Sequence, residues 1–442
     1  MIAGTDFSLA VRVRSHTEKS VPQLTLAAGS KCGYTAAEFQ ASYGQRMNNQ
    51  FTPNAARPLV RPVIRSSGHQ SAFKIILAVF AVMVAALLGL ILLLLIGAET
   101  GPAELVIALI CATLPVPVYV MLLLWIDRYE TEPLWMLATA FFWGALVSVF
   151  IAFIFNTSVE LIAAAATHSR EIGENVGAVI SAPIVEESAK AMIIVILFFW
   201  KKDEFDGILD GIVYAGMVGL GFAMTENVLY YGKALQHGTE ALEFVFKLRG
   251  VAAPFSHPLF TSMTGIGLGW SRQSNNGFVK VVAPVLGFML AVLMHASWNG
   301  LLTYGGDYGF YAAYFGIMGP AFVVTLMVIF FSWRRESRIV RQFLYSDYQK
   351  GFFEQMEYEQ LCSIRGRMGM SWQALTRQGF SHWRTRRQCN QMASELAFHR
   401  SRVARGFGRN PHLAEEREHE YLYRLQDLRQ RLGSGLRDPR QP

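Results

Sequence analysis

The sequence is poor in charge. Asp, Glu, Lys and Arg make up 17% of its 442 residues, whereas soluble domains carry about 25%. Hydrophobic residues reach 52%. A chain with this balance is not expected to be an ordinary soluble protein, and it fits one that crosses a membrane several times.

Cysteine and repeats are also scarce. The four cysteines show no CxxC spacing: Cys32, Cys111, Cys362 and Cys389. Cysteines so far apart in the sequence argue against a disulfide framework and against a thiolate metal site. No internal repeat is clear enough to indicate the inverted halves of many transporters, which disfavours transport. The glycines of the segment 207–221 follow no strand and fit close helix packing better than a phosphate loop.

Long apolar stretches are what the chain has in abundance. A run of roughly 20 apolar residues predicts a transmembrane helix. Eight stretches qualify: Ile75–Ile96, Leu105–Ile126, Leu134–Ile154, Val176–Phe199, Ile208–Tyr231, His257–Trp270, Phe278–Leu302 and Phe310–Trp333. The sixth is short and contains Pro258, so it can also be a re-entrant helix. We therefore predict an all-α fold, a polytopic membrane helix bundle of about eight transmembrane helices, or seven if the sixth does not span.

Basic residues flank this bundle on both sides. Because positively charged loops stay in the cytoplasm, the basic segments before Ile75 and after Trp333 place both termini there, as in a multi-pass protein of the bacterial inner (plasma) membrane. The basic loop 232–256 falls outside and breaks this rule. We expect three parts: a flexible N-terminal leader (1–70), a transmembrane core (71–333) and a basic, partly helical cytoplasmic tail (334–442).

The tail contains an amphipathic pattern at about Leu413–Leu432, with leucines spaced among charges. The interpretation that assigns it no specific function is a solvated helix or one that lies on anionic headgroups. No nucleic-acid partner is expected from it.

The fourth apolar stretch contains two adjacent acids, Glu186 and Glu187, together with Lys190. A carboxylate near the bilayer centre costs at least about 2.5–3.5 kcal/mol, so it is expected to face the bundle interior, where it is a functional candidate. The i,i+4 spacing of Glu186 and Lys190 also fits a purely structural ion pair. Since one lysine cannot neutralise two glutamates, we favour a functional role for the acids.

Three further stretches carry polar groups: Glu226 and Asn227 in the fifth, His257 in the sixth, and His295 and Asn299 in the seventh. At ~1.5 Å rise per residue, the paired acids lie about 15 Å below the outer end of their helix, Glu226 about 7 Å and His295 about 10 Å. These similar depths predict one shared pocket open to the outside. The structural alternative for each residue is an ordinary interhelical hydrogen bond.

The motifs carry a resemblance. In chain order, Glu186-Glu187-x-x-Lys190, Phe222-x-x-x-Glu226-Asn227, His257 and His295-x-x-Trp298-Asn299 resemble the PrsW family of intramembrane proteases, within the wider superfamily of CAAX and bacteriocin-processing proteases. The segment 127–133, DRYETEP, resembles an acidic segment of that family. The match covers about residues 105–330. In the superfamily the second motif usually ends in histidine, where this chain has Glu226.

The resemblance implies hydrolysis of a peptide bond in a membrane-anchored protein near its extracytoplasmic side, as in site-1-type cleavage of an anti-sigma factor. The catalytic residues it implies are Glu186, Glu187, Glu226, His257, His295 and Asn299, supported by Lys190 and Asn227. Either one glutamate of the pair activates water while His295 and Asn299 stabilise the oxyanion, or a divalent metal takes part. In the second case Glu226, His257 and His295 would hold one ion, with Zn²⁺ as the first candidate.

Two interpretations from other classes stay open at this point. A proton-coupled transporter would also place Glu, His and Lys at mid-depth, and it predicts substrate flux without peptide cleavage. A non-catalytic membrane scaffold predicts that Glu187→Gln is harmless while loss of the arginine-rich tail is not. The expected partners of the protease are a membrane-anchored protein substrate and the lipid bilayer, and the sequence leaves the oligomeric state open.

Overall fold

The structure is a computed structural model that describes residues 71–406 and 411–434. All regular elements in these ranges are helical, so the predicted all-α class is confirmed. The predicted N-terminal leader, residues 1–70, lies outside the described residues.

From residue 71 onward, where the described part of the chain begins, the membrane region contains thirteen helices in chain order: α1 Ser71–Thr100, α2 Pro102–Thr113, α3 Val116–Ile126, α4 Leu134–Phe142, α5 Val149–Thr167, α6 Arg170–Val176, α7 Ala182–Trp200, α8 Ile208–Gln236, α9 Thr239–Val245, α10 Ser256–Gln273, α11 Gly277–Tyr304, α12 Gly306–Ala313 and α13 Gly319–Gln349. Four π-helical segments extend or join them: Trp143–Ser148, Gly177–Ser181, Phe246–Ala252 and Tyr314–Met318. Several neighbouring helices therefore continue one another as single long spans.

Six segments of the described chain are long and apolar enough to cross a membrane: Val82–Thr100, Pro102–Ile126, Leu134–Thr167, Ile208–Gln236, Gly277–Tyr304 and Gly306–Gln349. The predicted number of eight is therefore not confirmed. The two predicted spans without this support are the regions of α7 and α10, which are both helical. Helix α7 carries three charged residues, and α10 is rich in polar and small residues, which lowers the hydropathy of both.

Helix α8 lies at the centre of the bundle, and 89% of the residues in its most apolar 18-residue stretch are buried. Its glycines let α10 approach closely: a Cβ added at Gly219 would lie 2.6 Å from the nitrogen of Pro258, and one at Gly211 would lie 2.1 Å from the carbonyl oxygen of Gly265. Such small residues are typical of close helix contacts in membranes. The expectation that these glycines serve packing is confirmed, and the contact fixes His257 beside α8.

Four more helices follow the membrane region: α14 Gln355–Leu361, α15 Ile364–Gln378, α16 Phe380–Ala404 and α17 Pro411–Ser434. They share a hydrophobic cluster with the end of α13. The amphipathic pattern at Leu413–Leu432 is indeed helical, but its apolar face is not left to solvent or headgroups, because Leu422, Leu425 and Leu432 are buried in that cluster. The described residues of the tail, 334–406 and 411–434, therefore form a packed helical region.

The acidic segment 127–133 ties the bundle to these C-terminal helices. The backbone nitrogen of Glu132 donates to Asp127 across 2.7 Å, and the Tyr214 hydroxyl donates to the Glu132 carboxylate. Burial raises the pKa of Asp127 to about 8. Glu130 pairs with Arg402 of α16 at 2.6 Å. We call the end of the bundle that carries Glu130 and Arg402 the C-terminal face.

Candidate active site

Four helices bring most of the predicted polar groups together inside the bundle. Helix α7 supplies Glu186, Glu187 and Lys190, α8 supplies Glu226, α10 supplies His257 and Thr261, and α11 supplies His295. Glu187 and Lys190 are fully buried. Helix spacing places these groups on inward faces, because residues three and four apart lie on one side of a helix.

Protein groups take up most of the hydrogen-bonding capacity of Glu187. Its Oε1 accepts from the Lys190 ammonium at 2.9 Å and lies 3.1 Å from His295 Nδ1, while its Oε2 accepts from the Thr261 hydroxyl at 2.9 Å. Because a carboxylate only accepts, His295 carries its proton on Nδ1 and presents the Nε2 lone pair. Glu187 therefore orients His295 and has little capacity left for water.

Glu186 is held more loosely. Lys190 Nζ and Asn156 Nδ2 each lie 3.4 Å from its oxygens, and His295 Nε2 lies 3.9 Å away. These contacts are long compared with a charge-assisted hydrogen bond of about 2.7–2.9 Å. Ser181 donates to Asn156 at 2.9 Å and so fixes that amide. Glu186 therefore retains acceptor capacity that the surrounding protein groups do not fill.

Lys190 is the cation at the centre of the site. Besides the two carboxylates, its Nζ contacts His257 Nδ1 at 3.0 Å and lies 3.8 Å from the centre of the Phe222 ring. An ammonium has donors only, so His257 accepts at Nδ1 and carries its proton on Nε2. That Nε2 donates to Glu226 at 2.8 Å.

Glu226 and Asn227 bind an arginine that sequence reasoning did not assign to the site. The guanidinium of Arg249 pairs with Glu226, and its Nε donates to Asn227 at 2.6 Å. Arg249 belongs to the basic loop 232–256, which broke the expected charge distribution. The ion pair accounts for one of the basic residues of this loop, because the positive charge of Arg249 neutralises a carboxylate of the bundle.

Asn156 was also missed, since the predicted third stretch ended at Ile154 whereas the helix continues to Thr167. In contrast, Asn299 was predicted to act beside His295 but is placed elsewhere. Its amide donates to the carbonyl of Ala178 at 2.8 Å. It links α11 to the segment that precedes α7, and no contact with the carboxylates is found for it among the described residues.

Three of these residues could hold a metal ion. The ligand atoms of Glu186, His257 and His295 all lie within 4.8 Å of one another, and all three side chains are buried. The ligand set predicted from the sequence had Glu226 in place of Glu186. Glu226 instead lies between Arg249 and His257, where its negative charge is already compensated.

The charges of the site also suit a cation. Its described residues include three carboxylates, on Glu186, Glu187 and Glu226, but two basic side chains, on Lys190 and Arg249. With both histidines neutral, one negative charge is unbalanced, which is costly in a buried place. A divalent cation or a proton on a histidine would compensate it. Oxygen and nitrogen ligands of this kind fit Zn²⁺, which binds them at about 2.0–2.2 Å.

Comparison with known proteins gives one family. The profile of the family described as PrsW family intramembrane metalloprotease matches residues 132–333. This range includes all the residues of the site described above. No solved structure matches the chain.

Individual relatives agree with this match. A protein named Protease PrsW from Oceanobacillus iheyensis is 32% identical over 200 residues, which cover 45% of this chain and 81% of that protein. Proteins of the same name from Geobacillus kaustophilus and Bacillus subtilis are each 32% identical. Their matched regions cover 43% and 40% of this chain, and 76% and 74% of the respective relatives.

Proposed function

The chain belongs to the PrsW family of intramembrane proteases, and on that premise we propose that Glu186 activates the water that attacks the peptide bond, while Glu187 positions His295. The observation that carries this assignment is the difference in hydrogen bonding between the two acids. Glu187 accepts from three close protein donors, whereas the contacts of Glu186 are long. A general base needs a free lone pair within reach of its water.

The reaction follows from this arrangement. A water that lies to the side of Glu186 and His295 Nε2, whose facing atoms are 3.9 Å apart, donates a hydrogen bond to each and gives a proton to the Glu186 carboxylate. Its oxygen forms a bond to the scissile carbonyl carbon, and the carbonyl π electrons move to the oxygen. When the intermediate collapses, the C–N bond breaks and Glu186 returns the proton to the leaving amine nitrogen. Each step balances in charge and atoms.

The metal belongs to the same proposal. Glu186, His257 and His295 would hold a divalent ion through one ligand atom each, so that the second carboxylate oxygen of Glu186 would remain to accept the proton. Zn²⁺ is the first candidate, and such an ion acidifies bound water and polarises a carbonyl group. His257 would first have to release Lys190 from Nδ1 or Glu226 from Nε2. Glu187 would keep its contact with His295 Nδ1, the kind of outer-shell carboxylate that commonly orients a ligating histidine.

Metal content measured on the purified full chain tests this ligand set. We expect Glu186→Gln to lower bound metal at least ~10-fold, the scale expected for loss of a group at the site, and Glu226→Gln to retain it. The exposed Glu171→Gln is the matched control. If Glu226→Gln loses the ion and Glu186→Gln keeps it, the ligand set predicted from the sequence is correct instead. A wild-type protein purified without metal and fully active would leave glutamate-activated water alone as the mechanism.

We further propose that the substrate is a membrane-anchored protein cut near its extracytoplasmic side, with an anti-sigma factor as the candidate, in a bacterial inner membrane with both termini cytoplasmic. Position along α8 supports this orientation. Asp210 lies near the C-terminal face, and Glu226 is about 24 Å further along the helix at ~1.5 Å per residue. The partly exposed side chains of Glu226 and Arg249 form the rim of the site, toward the opposite face.

Arg249 at this rim is expected to orient the substrate. In Arg249→Gln we predict a fall in kcat/KM of about 10-fold or more, because a partly buried charge pair at the entrance is broken and a cation near the developing oxyanion is lost. The assay is cleavage of a membrane-anchored peptide by the protein in liposomes. Lys247→Gln removes the same charge from the same loop at an exposed position and should change the rate little. Equal effects of both variants would contradict a specific role for Arg249.

A further inference from the structure

A pocket of about 620 Å³ lies where the membrane helices meet the C-terminal helices. One wall is the last turn of α3, with Leu124 and Trp125, followed by Arg128. The other wall comes from α15 and α16. The residues that line it do not include any of the active-site residues discussed above. The pocket is therefore separate from the site of proteolysis.

The lining of this pocket is positively charged. Arg128, Arg367 and Arg387 contribute to it, and no Asp or Glu is among the described residues that line it. Arg367 is 8% exposed, and the two bonds it donates go to the Ser394 hydroxyl at 2.6 Å and the Asn390 carbonyl at 2.9 Å. Because neither of these hydrogen-bond partners is an acid, the arginine adds positive charge to the pocket. The electrostatics of the pocket thus call for an anion.

Tryptophans place the pocket at the level of a membrane surface. Trp125 ends the apolar span Pro102–Ile126 and is 50% exposed. Trp333, in the last apolar turn of another span, packs edge-on against it with ring centres 5.2 Å apart and donates to the Ile126 carbonyl. Tryptophan is enriched at the headgroup level of bilayers. The exposed Trp372 lines the pocket from the side of the C-terminal helices.

The guanidinium of Arg128 is aligned within this aromatic wall. Its carbon lies 3.8 Å from the centre of the Trp125 ring and 5.5 Å from that of Trp333, and its Nε donates to the Trp125 carbonyl at 2.9 Å. Stacking of this kind holds the guanidinium in one orientation, so its remaining N–H donors point in fixed directions. On the opposite wall, Arg387 lies over Trp383 at 5.0 Å. Two arginine–tryptophan pairs therefore contribute to the same pocket.

We propose that this pocket binds an anionic phospholipid from the leaflet at the C-terminal face, with its phosphate between Arg128 and Arg387 and its acyl chains along Leu124 toward the bilayer. Guanidinium groups bind phosphate oxygens through paired donors. Basic pockets at the ends of transmembrane helices are typical sites for anionic headgroups. Because its walls belong to both regions, the bound lipid would hold the C-terminal helices against the membrane bundle.

Lipid titration of the detergent-purified full chain tests this site. Native mass spectrometry would compare dioctanoyl phosphatidylglycerol with dioctanoyl phosphatidylcholine, and we expect the anionic lipid to bind at least about fivefold more tightly. Arg387→Gln should remove about this fivefold preference, since one basic residue accounts for roughly that factor at a membrane surface. Arg377→Gln is the control, because it removes an exposed arginine of α15 that does not line the pocket.

The outcomes separate the site from a general charge effect. Preference for the anionic lipid that falls in Arg387→Gln and persists in Arg377→Gln supports the proposal. Equal binding of both lipids, or equal losses in both variants, overturns it. Glycerol 3-phosphate that competes as well as the lipid would also overturn it, because the ligand would then be a small phosphate ester. Arg387 is exposed, so its replacement is compatible with an intact fold.

Discussion

Glu186→Gln is expected to abolish peptide cleavage, lowering kcat about 10²–10⁴-fold, the range that a positioned general base supplies. The amide has nearly the same shape as the carboxylate but cannot take a proton from water. Its contacts with Asn156 and Lys190 are already long, at 3.4 Å each, so the fold should tolerate the change. The measurement is cleavage of a membrane-anchored peptide by the purified full chain in liposomes.

Two variants make this prediction specific. Glu171→Gln neutralises an exposed acid of α6 in the segment leading to α7 and should leave the rate unchanged. Glu187→Gln is expected to weaken the contacts with Lys190 and Thr261 and to lower thermal stability together with activity. If Glu187→Gln removed activity at full stability while Glu186→Gln stayed active, the roles assigned to the two acids would be reversed.

Family membership also decides among the functions that the sequence left open. A transporter or a scaffold would equally place acids inside the bundle, since the cost of burying a carboxylate says that it has a role without saying which. The match to PrsW proteases over residues 132–333 identifies proteolysis. Hydropathy therefore located the site, and the order of its motifs identified its chemistry.

Much of the bundle could be predicted because water is absent from the bilayer core, which forces long apolar helices. The predicted count of eight is not confirmed at the two helices that carry much of the site, α7 and α10. The hydropathy of α7 is lowered by Glu186, Glu187 and Lys190. That of α10 is lowered by the small residues that let it pack closely against α8. The C-terminal helices were harder to predict, because their burial depends on contacts such as that of Leu425 with residues far away in the chain.

Partners within the site could not be predicted from spacing alone. His295 and Asn299 share a face of α11, but Asn299 lies one turn, about 6 Å, further along, where it meets the carbonyl of Ala178 instead of a carboxylate. The pairing of Arg249 with Glu226 joins a loop to a helix. Such contacts depend on how α8 and the following loop pack against each other. The periodicity of the sequence gives no information on this packing.

Lys190→Met is expected to destabilise the protein by about 3–5 kcal/mol, the usual cost of leaving a buried ion without its partner. The ammonium is fully buried and contacts Glu187 at 2.9 Å, Glu186 at 3.4 Å and His257 at 3.0 Å. Methionine approximates the stem and its packing against Phe222 but removes the charge. The free energy of unfolding in detergent, measured with activity, gives the size of the effect.

A double variant separates charge from packing in this result. Adding Glu187→Gln to Lys190→Met removes one of the carboxylates that the lysine compensates, so the pair should recover most of the stability that Lys190→Met loses, as a coupling energy in a double-mutant cycle. Activity should stay low, because His295 loses the carboxylate that accepts from its Nδ1. If the double variant is no more stable than Lys190→Met, the lysine stabilises the site through its packing and hydrogen bonds to His257 instead of by neutralising the acids.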